Sequence, residues 1–345
     1  MENRHTLEDL KEMQNYPLEM KIALTNDRIR AWYREYNGNV FVSRSGGKDS
    51  DVLGDIVKKL YPDVPQVFIN TGLEWDSVRR HGMEVADEVL YPEINFVEVV
   101  KRYGYPVIGK EVAQRVCEAR ERPDGESARR FTDCEHNRKY PQFSMEAYAW
   151  LLDAPFKISH KCCKVMKKTP SKRYEKKTGR KPIVGTLADE SRLRKSNWLR
   201  HGCNAFDLDR PVSAPLSFWT EQDILKYIKE YNVELADIYG DVIYDWENSE
   251  DVQGQLTISD IAGFEEEKRF DADKPLLKTT GCKRTGCMMC GFGCHLEKPG
   301  DGRFELLKKT HPGMYNLLDV IKNNGVTMRE AIEWINKNGG FDIKL

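Results

Sequence analysis

Six consecutive residues, Ser45-Gly46-Gly47-Lys48-Asp49-Ser50, stand between a short apolar run and a helix-spaced one. Glycines at such a place let backbone N–H groups approach phosphate oxygens, and the N-terminus of the following helix adds its positive end. Lys48 brings a point charge, while Ser45 and Ser50 bring hydroxyl donors. The loop is not of Walker A type, because Asp49 follows Gly47-Lys48 where that loop needs Ser or Thr. Strand, loop and helix in this order predict a phosphate site rather than an idle Gly-Gly turn.

Cysteines offer a second chemistry. The chain has nine, and six fall in two knots: Cys162-Cys163, and Cys282, Cys287, Cys290 and Cys294 at C-x4-C-x2-C-x3-C spacing. Closely spaced thiolates hold zinc or an iron–sulfur cluster, and spacing alone leaves both open. No apolar export segment follows Met1-Glu2-Asn3-Arg4-His5. A cytoplasmic location with reduced thiols is therefore expected, rather than disulfides. A thioredoxin-type pair is disfavoured, since Cys287-x-x-Cys290 does not follow the first strand.

Charge is the third signal. The net charge is −1, yet residues 156–200 carry 15 Lys or Arg against three acids, a local +12. A field of that sign suits phosphate groups or nucleic acid. Tyr174 and Trp198 are the only aromatics between Lys161 and Arg200, too few for a platform on which bases stack. A non-catalytic nucleic-acid-binding protein with a structural metal is thus the weaker alternative to an enzyme.

These groups need a scaffold, and the hydrophobic pattern supplies one. Leu10, Met13, Leu18, Ile22, Ile29 and Trp32 recur at roughly helical spacing until Asn37-Gly38. Val40–Ser43 reads as a strand, and Val52, Leu53, Ile56, Val57 and Leu60 as the helix after the loop. Gln66–Ile69, Asn95–Val100 and Pro182–Gly185 read as further strands, and Thr220-x-x-Asp223 as a helix start. Strands alternating with helices predict an α/β fold, a mostly parallel twisted sheet with helices on both faces and a Cys-rich C-terminal segment. The strand rhythm lapses over 108–158, which predicts a helical insertion. Residues 240–281 are acidic and weakly patterned, and two helices are expected near Tyr315–Lys322 and Thr327–Lys337. The expected partition is N-terminal helices at 1–38, a phosphate-binding domain at 39–235, and a Cys-bearing helical segment at 236–345.

With 40% hydrophobic residues over 345 positions, the chain can bury a core, so disorder as the main state is excluded. No apolar run approaches the roughly 18 residues of a transmembrane helix, and no membrane partner is expected.

The loop resembles the PP-loop of the adenine nucleotide α-hydrolase-like superfamily. Further matches narrow the likeness to the phosphoadenosine phosphosulfate (PAPS) reductase-like family. They are Asn70-Thr71-Gly72-Leu73-Glu74, Lys161-Cys162-Cys163, Gly185-Thr186-Leu187-Ala188-Asp189-Glu190-Ser191 with Arg194, and Pro215-Leu216-x-x-Trp219-Thr220-x-x-Asp223-Ile224. The resemblance runs from about residue 25 to about residue 295. It implies an enzyme binding ATP or PAPS through Ser45–Ser50, Asn70, Thr71, Gly72, Gly185 and Ser191, with Lys48, Asp49, Glu190 and Arg194 catalytic. It also implies a 4Fe–4S cluster on Cys162, Cys163, Cys287 and Cys290, with Cys282 and Cys294 as alternative ligands. Two reactions go with these residues: reduction of a sulfonucleotide by a thioredoxin-like reductant, or ATP-dependent adenylation of a nucleic acid followed by thiolation from a sulfur donor. Mg²⁺ serves the second, with Asp49 or Glu190 as indirect ligands. Two departures stand out. Asn70 occupies the place of a family acid, and no Cys follows Cys294 to match the reductases' Glu-Cys-Gly-Leu-His tail.

Overall fold

The computed structural model describes residues 3–245, 275–297, 300 and 302–345. Most of the acidic stretch expected at 240–281 lies outside the described residues. In chain order the strands are β1 (Val40–Arg44), β2 (Gln66–Ile69), β3 (Glu88–Leu90), β4 (Val107–Ile108), β5 (Lys181–Val184), β6 (Asn204–Ala205), β7 (Val212–Ser213), β8 (Val242–Asp245), β9 (Leu276–Thr279) and β10 (Gly291–Phe292). Helices α1 (Leu7–Gln14) and α2 (Leu18–Glu35) precede them, and α3 (Lys48–Leu60) and α4 (Asp76–Glu84) follow β1 and β2.

The chain forms two compact units, each gathered from three stretches. The first holds Met1–Phe68, Asp76–Val89 and Tyr174–Thr285, and the second holds Ile69–Trp75, Leu90–Arg173 and Gly286–Leu345. The first unit is built on a six-stranded sheet of order β3-β2-β1-β5-β7-β6. β1 runs parallel to both β2 and β5, and β5 parallel to β7, while β6 closes the edge antiparallel. The expected mostly parallel α/β architecture is what the chain adopts.

Packing follows the apolar pattern. Ile29 and Trp32 of α2, Val40 and Val42 of β1, Val52 and Leu53 of α3, and Ile183 of β5 are all fully buried in one core. The N-terminal helices are part of this core rather than an appendage, with Leu10 and Leu18 buried in it. A reciprocal capping box, Thr220 with Asp223, starts the helix Glu221–Tyr231, as the Thr-x-x-Asp spacing predicts.

The sheet order matters for function. The chain leaves β1 for β2 on one side, and β5 later joins β1 on the other. Such a reversal opens a crevice beyond the carboxyl ends of the strands, where open α/β sheets bind ligands. The turn after β1 is Ser45–Ser50 and the turn after β5 begins at Gly185.

The second unit is mainly helical. Lys110–Glu121, Glu126–Thr132 and Cys134–Lys139 are helices, and Glu146–Asp153 is a 3-10 turn. Arg120 ties this segment down by donating to the carbonyls of Leu151, Leu152, Ala154 and Phe156. Short β4 pairs parallel with β10, which joins the cysteine-rich loop to this unit.

Two sequence expectations are corrected. Asn95–Val100 is not a strand: Asn95 caps the helix Phe96–Tyr103, its side chain accepting from the Glu98 N–H at 3.0 Å. Phe96, Val99 and Val100 are buried, and that i, i+3, i+4 spacing outweighs the β-preference of valine. The helix expected at Tyr315–Lys322 is instead a short helix at Pro312–Asn316 and a 3-10 turn at Leu317–Asp319. Lys322–Asn323 then pairs antiparallel with Val326–Thr327 around Asn324-Gly325, both at positive φ. That Asn-Gly pair is a hairpin signal.

Candidate functional site

In the first unit β1 delivers the chain into a tight turn, and Gly47 caps α3. Gly46 has φ of +69°, and a Cβ there would lie 2.8 Å from the Val78 side chain and carbonyl, so only glycine fits. The two serines lace the turn together. Ser50 Oγ donates to the Gly47 carbonyl at 2.8 Å and accepts from the Ser45 N–H at 3.1 Å and the Ser45 hydroxyl at 3.0 Å. Gly185 packs against the same loop so closely that a Cβ would lie 2.6 Å from the Asp49 carbonyl oxygen. The turns after β1 and β5 therefore meet backbone to backbone.

Charged side chains gather around this turn. Lys48 is only 6% exposed. Its ammonium donates to Glu221 Oε1 at 3.2 Å and to the Lys283 carbonyl at 2.8 Å, and sits 5.7 Å from the Tyr239 ring centre. Glu190 pairs with Arg194, one turn along the chain, and also accepts from the Leu187 N–H at 3.1 Å. Ser191 caps the helix Arg192–His201, accepting from the Arg194 N–H at 3.3 Å. Burial raises the Asp49 pKa, against the pull of Lys48 and Arg284. Burial likewise lowers that of Arg194, with Asp49 opposing. One turn into α3, Asp51 is buried between Arg44 at 2.8 Å and His81 at 3.2 Å.

The second unit holds the thiols. Cys162 and Cys163 lie on a single helical turn, Lys161–Cys163, and Cys287 and Cys290 on the loop before β10. Burial raises the Cys162 pKa, and the neighbouring sulfurs of Cys163, Cys287 and Cys290 add to it. Burial pushes Cys290 up to about 11, with Cys287 adding and Arg303 opposing. For Lys167 burial disfavours the charge, but Cys287, Glu74 and Cys163 outweigh it and hold its pKa above the ordinary value. Arg303 braces the loop by donating to the carbonyls of Cys290 and Phe292. Cys294, raised by burial to about 12, donates to the Cys290 carbonyl at 3.3 Å. Among the described residues, no group of three or more His, Cys, Asp or Glu side chains is arranged to hold a metal ion.

The family model described as the phosphoadenosine phosphosulfate reductase domain matches residues 39–291, more than half of the chain. The chain belongs to the PAPS reductase family. Among solved structures, it resembles a phosphoadenylyl-sulfate reductase from Candida auris in a phosphate complex. The TM-score is 0.36 and the identity 15%, over 71% of this chain and 98% of that one. It also resembles a U34-tRNA thiolase from Methanococcus maripaludis with its 4Fe–4S cluster, at a TM-score of 0.30 and 15% identity over 64% of this chain and 67% of that one. Both likenesses are too loose to add to the family match. No curated protein matches the chain significantly.

The residues that resemble PAPS reductase motifs fall into both units. Ser45–Ser50, Gly185, Glu190, Ser191 and Arg194 lie together in the first. Asn70, Thr71 and Gly72 belong to the second. There Asn70 Oδ1 accepts from the Gly72 N–H at 3.0 Å, shaping the turn. Glu74, the carboxylate nearest in sequence to Asn70, is 5% exposed and already engaged. It accepts from the Thr71 N–H at 2.9 Å and the Thr71 hydroxyl at 2.7 Å, and lies 3.6 Å from Lys167. Cys282 lies in the first unit, and Cys162, Cys163, Cys287, Cys290 and Cys294 in the second. Sequence reasoning missed Glu221, Asp51, Lys167 and Arg303. Lys167 stood in the basic run without a mark of its own, Glu221 fills an unspecified position of the Thr220-x-x-Asp223 motif, and Asp51 and Arg303 lie outside every matched motif. A buried charge gives no signal in sequence until its partner is known.

Proposed function

We propose that this protein is an adenine-nucleotide-dependent enzyme of sulfur metabolism whose nucleotide phosphates sit on Ser45–Ser50. One observation carries the reading. Lys48 is buried at the mouth of a helix-capping glycine turn, held by Glu221 and a backbone carbonyl. A phosphate offers that ammonium a stronger partner, and the N-terminus of α3 favours the same charge. Charge developing on a bridging phosphate oxygen would be met by Lys48, Arg194 and the loop N–H groups, which is electrostatic catalysis. Family membership supports a sulfonucleotide such as PAPS as the substrate.

The donor set in the second unit fits a 4Fe–4S cluster chemically: four buried or half-buried thiols, Cys162, Cys163, Cys287 and Cys290, with Lys167 and Arg303 to balance negative charge. A four-iron cube spreads its ligands wider than one ion does, so these thiols need not close around an ion. Bound there, a cluster supplies electron-transfer or sulfur-binding chemistry. ATP-dependent sulfur transfer is the second reading, favoured by Asp49 and Glu190 standing among the same cations as candidate indirect Mg²⁺ partners.

The deciding experiment incubates anaerobically purified, cluster-loaded protein with PAPS and reduced thioredoxin, and in parallel with Mg-ATP, a sulfide donor and nucleic acid. Sulfite with adenosine bisphosphate establishes reduction. AMP with pyrophosphate establishes adenylation. Turnover of neither removes the enzymatic reading.

A further inference from the structure

The helical segment of the second unit carries a feature that neither site uses. An open cavity of about 600 Å³ lies among Arg129, Arg130, His136, Lys139, Tyr140 and Phe143, a volume within the range of small-ligand pockets. Two aromatic rings stand at its rim, Tyr140 at 39% and Phe143 at 45% exposed. Each ring has a cation over it: Lys139 5.3 Å from the Tyr140 centre and Arg130 5.0 Å from that of Phe143. We propose that this cavity binds single-stranded nucleic acid, one or two bases stacking on Tyr140 and Phe143 while Arg129, Arg130 and Lys139 meet the phosphates.

The lining carries three cations, Arg129, Arg130 and Lys139, with two acids, Glu126 and Glu135. Glu126 also lines the cavity, but its carboxylate accepts from His136 Nε2 at 3.0 Å and lies 3.6 Å from Arg130. Asp133 is spent on Arg129 at 3.0 Å and on capping His136 at 2.9 Å. Lys139 has no carboxylate partner among the described residues, and Glu135 is the one lining acid without an ion pair. The His136 side chain is 6% exposed and its Nδ1 is buried without a hydrogen-bond partner. The frame is pre-set: the Tyr140 N–H donates to the His136 carbonyl at 2.9 Å and the Met145 N–H to that of Arg130 at 2.8 Å. Exposed rings beside cations bind bases of any sequence, because every base offers a π-face, whereas a duplex keeps its bases stacked on each other.

This reading stands apart from the phosphate loop, and its test keeps them apart. Fluorescence anisotropy of the full chain with a labelled single strand of about twelve nucleotides should show binding that weakens with salt. The double variant Tyr140→Ala/Phe143→Ala should lose about ten-fold or more in affinity. Lys139→Ala should lower the slope of log affinity against log salt by about one. Both rings are exposed, so a circular dichroism melt should match wild type, and Tyr140→Phe should keep binding. Lys48→Ala should bind the strand as wild type does. Equal affinity in the double variant, equal competition by duplex, or preference for a poly-glutamate peptide over the strand would each overturn the proposal.

Discussion

In the first unit the Ser45–Ser50 turn takes six consecutive residues, and hydrogen bonds among Ser45, Gly47 and Ser50 hold its shape. In the second unit the thiols come from two stretches more than one hundred residues apart in sequence. Burial raises the proton affinity of Cys162, Cys287 and Cys290, and neighbouring sulfurs of the group add to each. The loop is a local structure that tertiary packing braces through Gly185. The thiol group exists only because tertiary packing brings its halves together. A local site should therefore lose function in proportion to each contact removed, while an assembled one should fail as a whole.

The largest expected effect tests the assembled site. Under the cluster reading, Cys162→Ser and Cys287→Ser should each abolish stoichiometric iron and sulfide in anaerobically purified protein, measured by metal and sulfide analysis. Cys282→Ser, in the other unit, should keep full loading. The reverse pattern, with Cys162 dispensable and Cys282 required, would favour the local four-cysteine set.

Next comes the loop. Lys48→Ala should weaken nucleotide binding roughly 10- to 150-fold, the worth of a charge-assisted hydrogen bond of about 1.5–3 kcal/mol. Calorimetric titration checks this, and an unchanged affinity for ATP, AMP and PAPS alike would remove the loop from the site. Gly185→Ala asks whether bracing matters. Its Cβ would press on the Asp49 carbonyl at 2.6 Å, so the loop must shift. About ten-fold weaker binding and roughly 1–3 kcal/mol of lost stability are expected from such overpacking. If binding is untouched, the turn holds its shape without β5.

The smallest effect is a pH dependence. Burial raises the Asp49 pKa above its ordinary 3.8. The folded chain then holds a proton that the unfolded chain has released just above pH 3.8. The stability from this group is present below that point and lost as pH rises through the folded value. Asp49→Asn should therefore be slightly more stable than wild type at neutral pH, with the difference disappearing in acid. Thermal melts between about pH 3 and 7 read it, and a gap that widens in acid would mean the carboxylate is stabilised when charged.

How much of this was legible depended on distance along the chain. The strand–loop–helix at Val40–Leu60 was readable because its chemistry and its periodicity lie in one stretch. Asn95–Val100 misled because a short window rich in β-branched valine suggests a strand, and burial of Phe96, Val99 and Val100 at i, i+3, i+4 decided for the helix. Glu74 stands four residues after Asn70, where the family acid is missing. Its hydrogen bonds to Thr71 and its place beside Lys167 tie it to the thiol neighbourhood instead.

By itself the sequence determined the strand–turn–helix at Val40–Leu60, the mostly parallel α/β class and the places of the thiols along the chain, because backbone preference, hydrophobic period and side-chain chemistry are properties of neighbouring residues. Only the tertiary structure decided that β5 joins β1 opposite β2, that Gly185 abuts the loop, and that Cys162 comes near enough to Cys287 and Cys290 to feel their charge. Those are long-range pairings, fixed by the burial of a whole core and by charges that find partners only when the chain has closed upon itself.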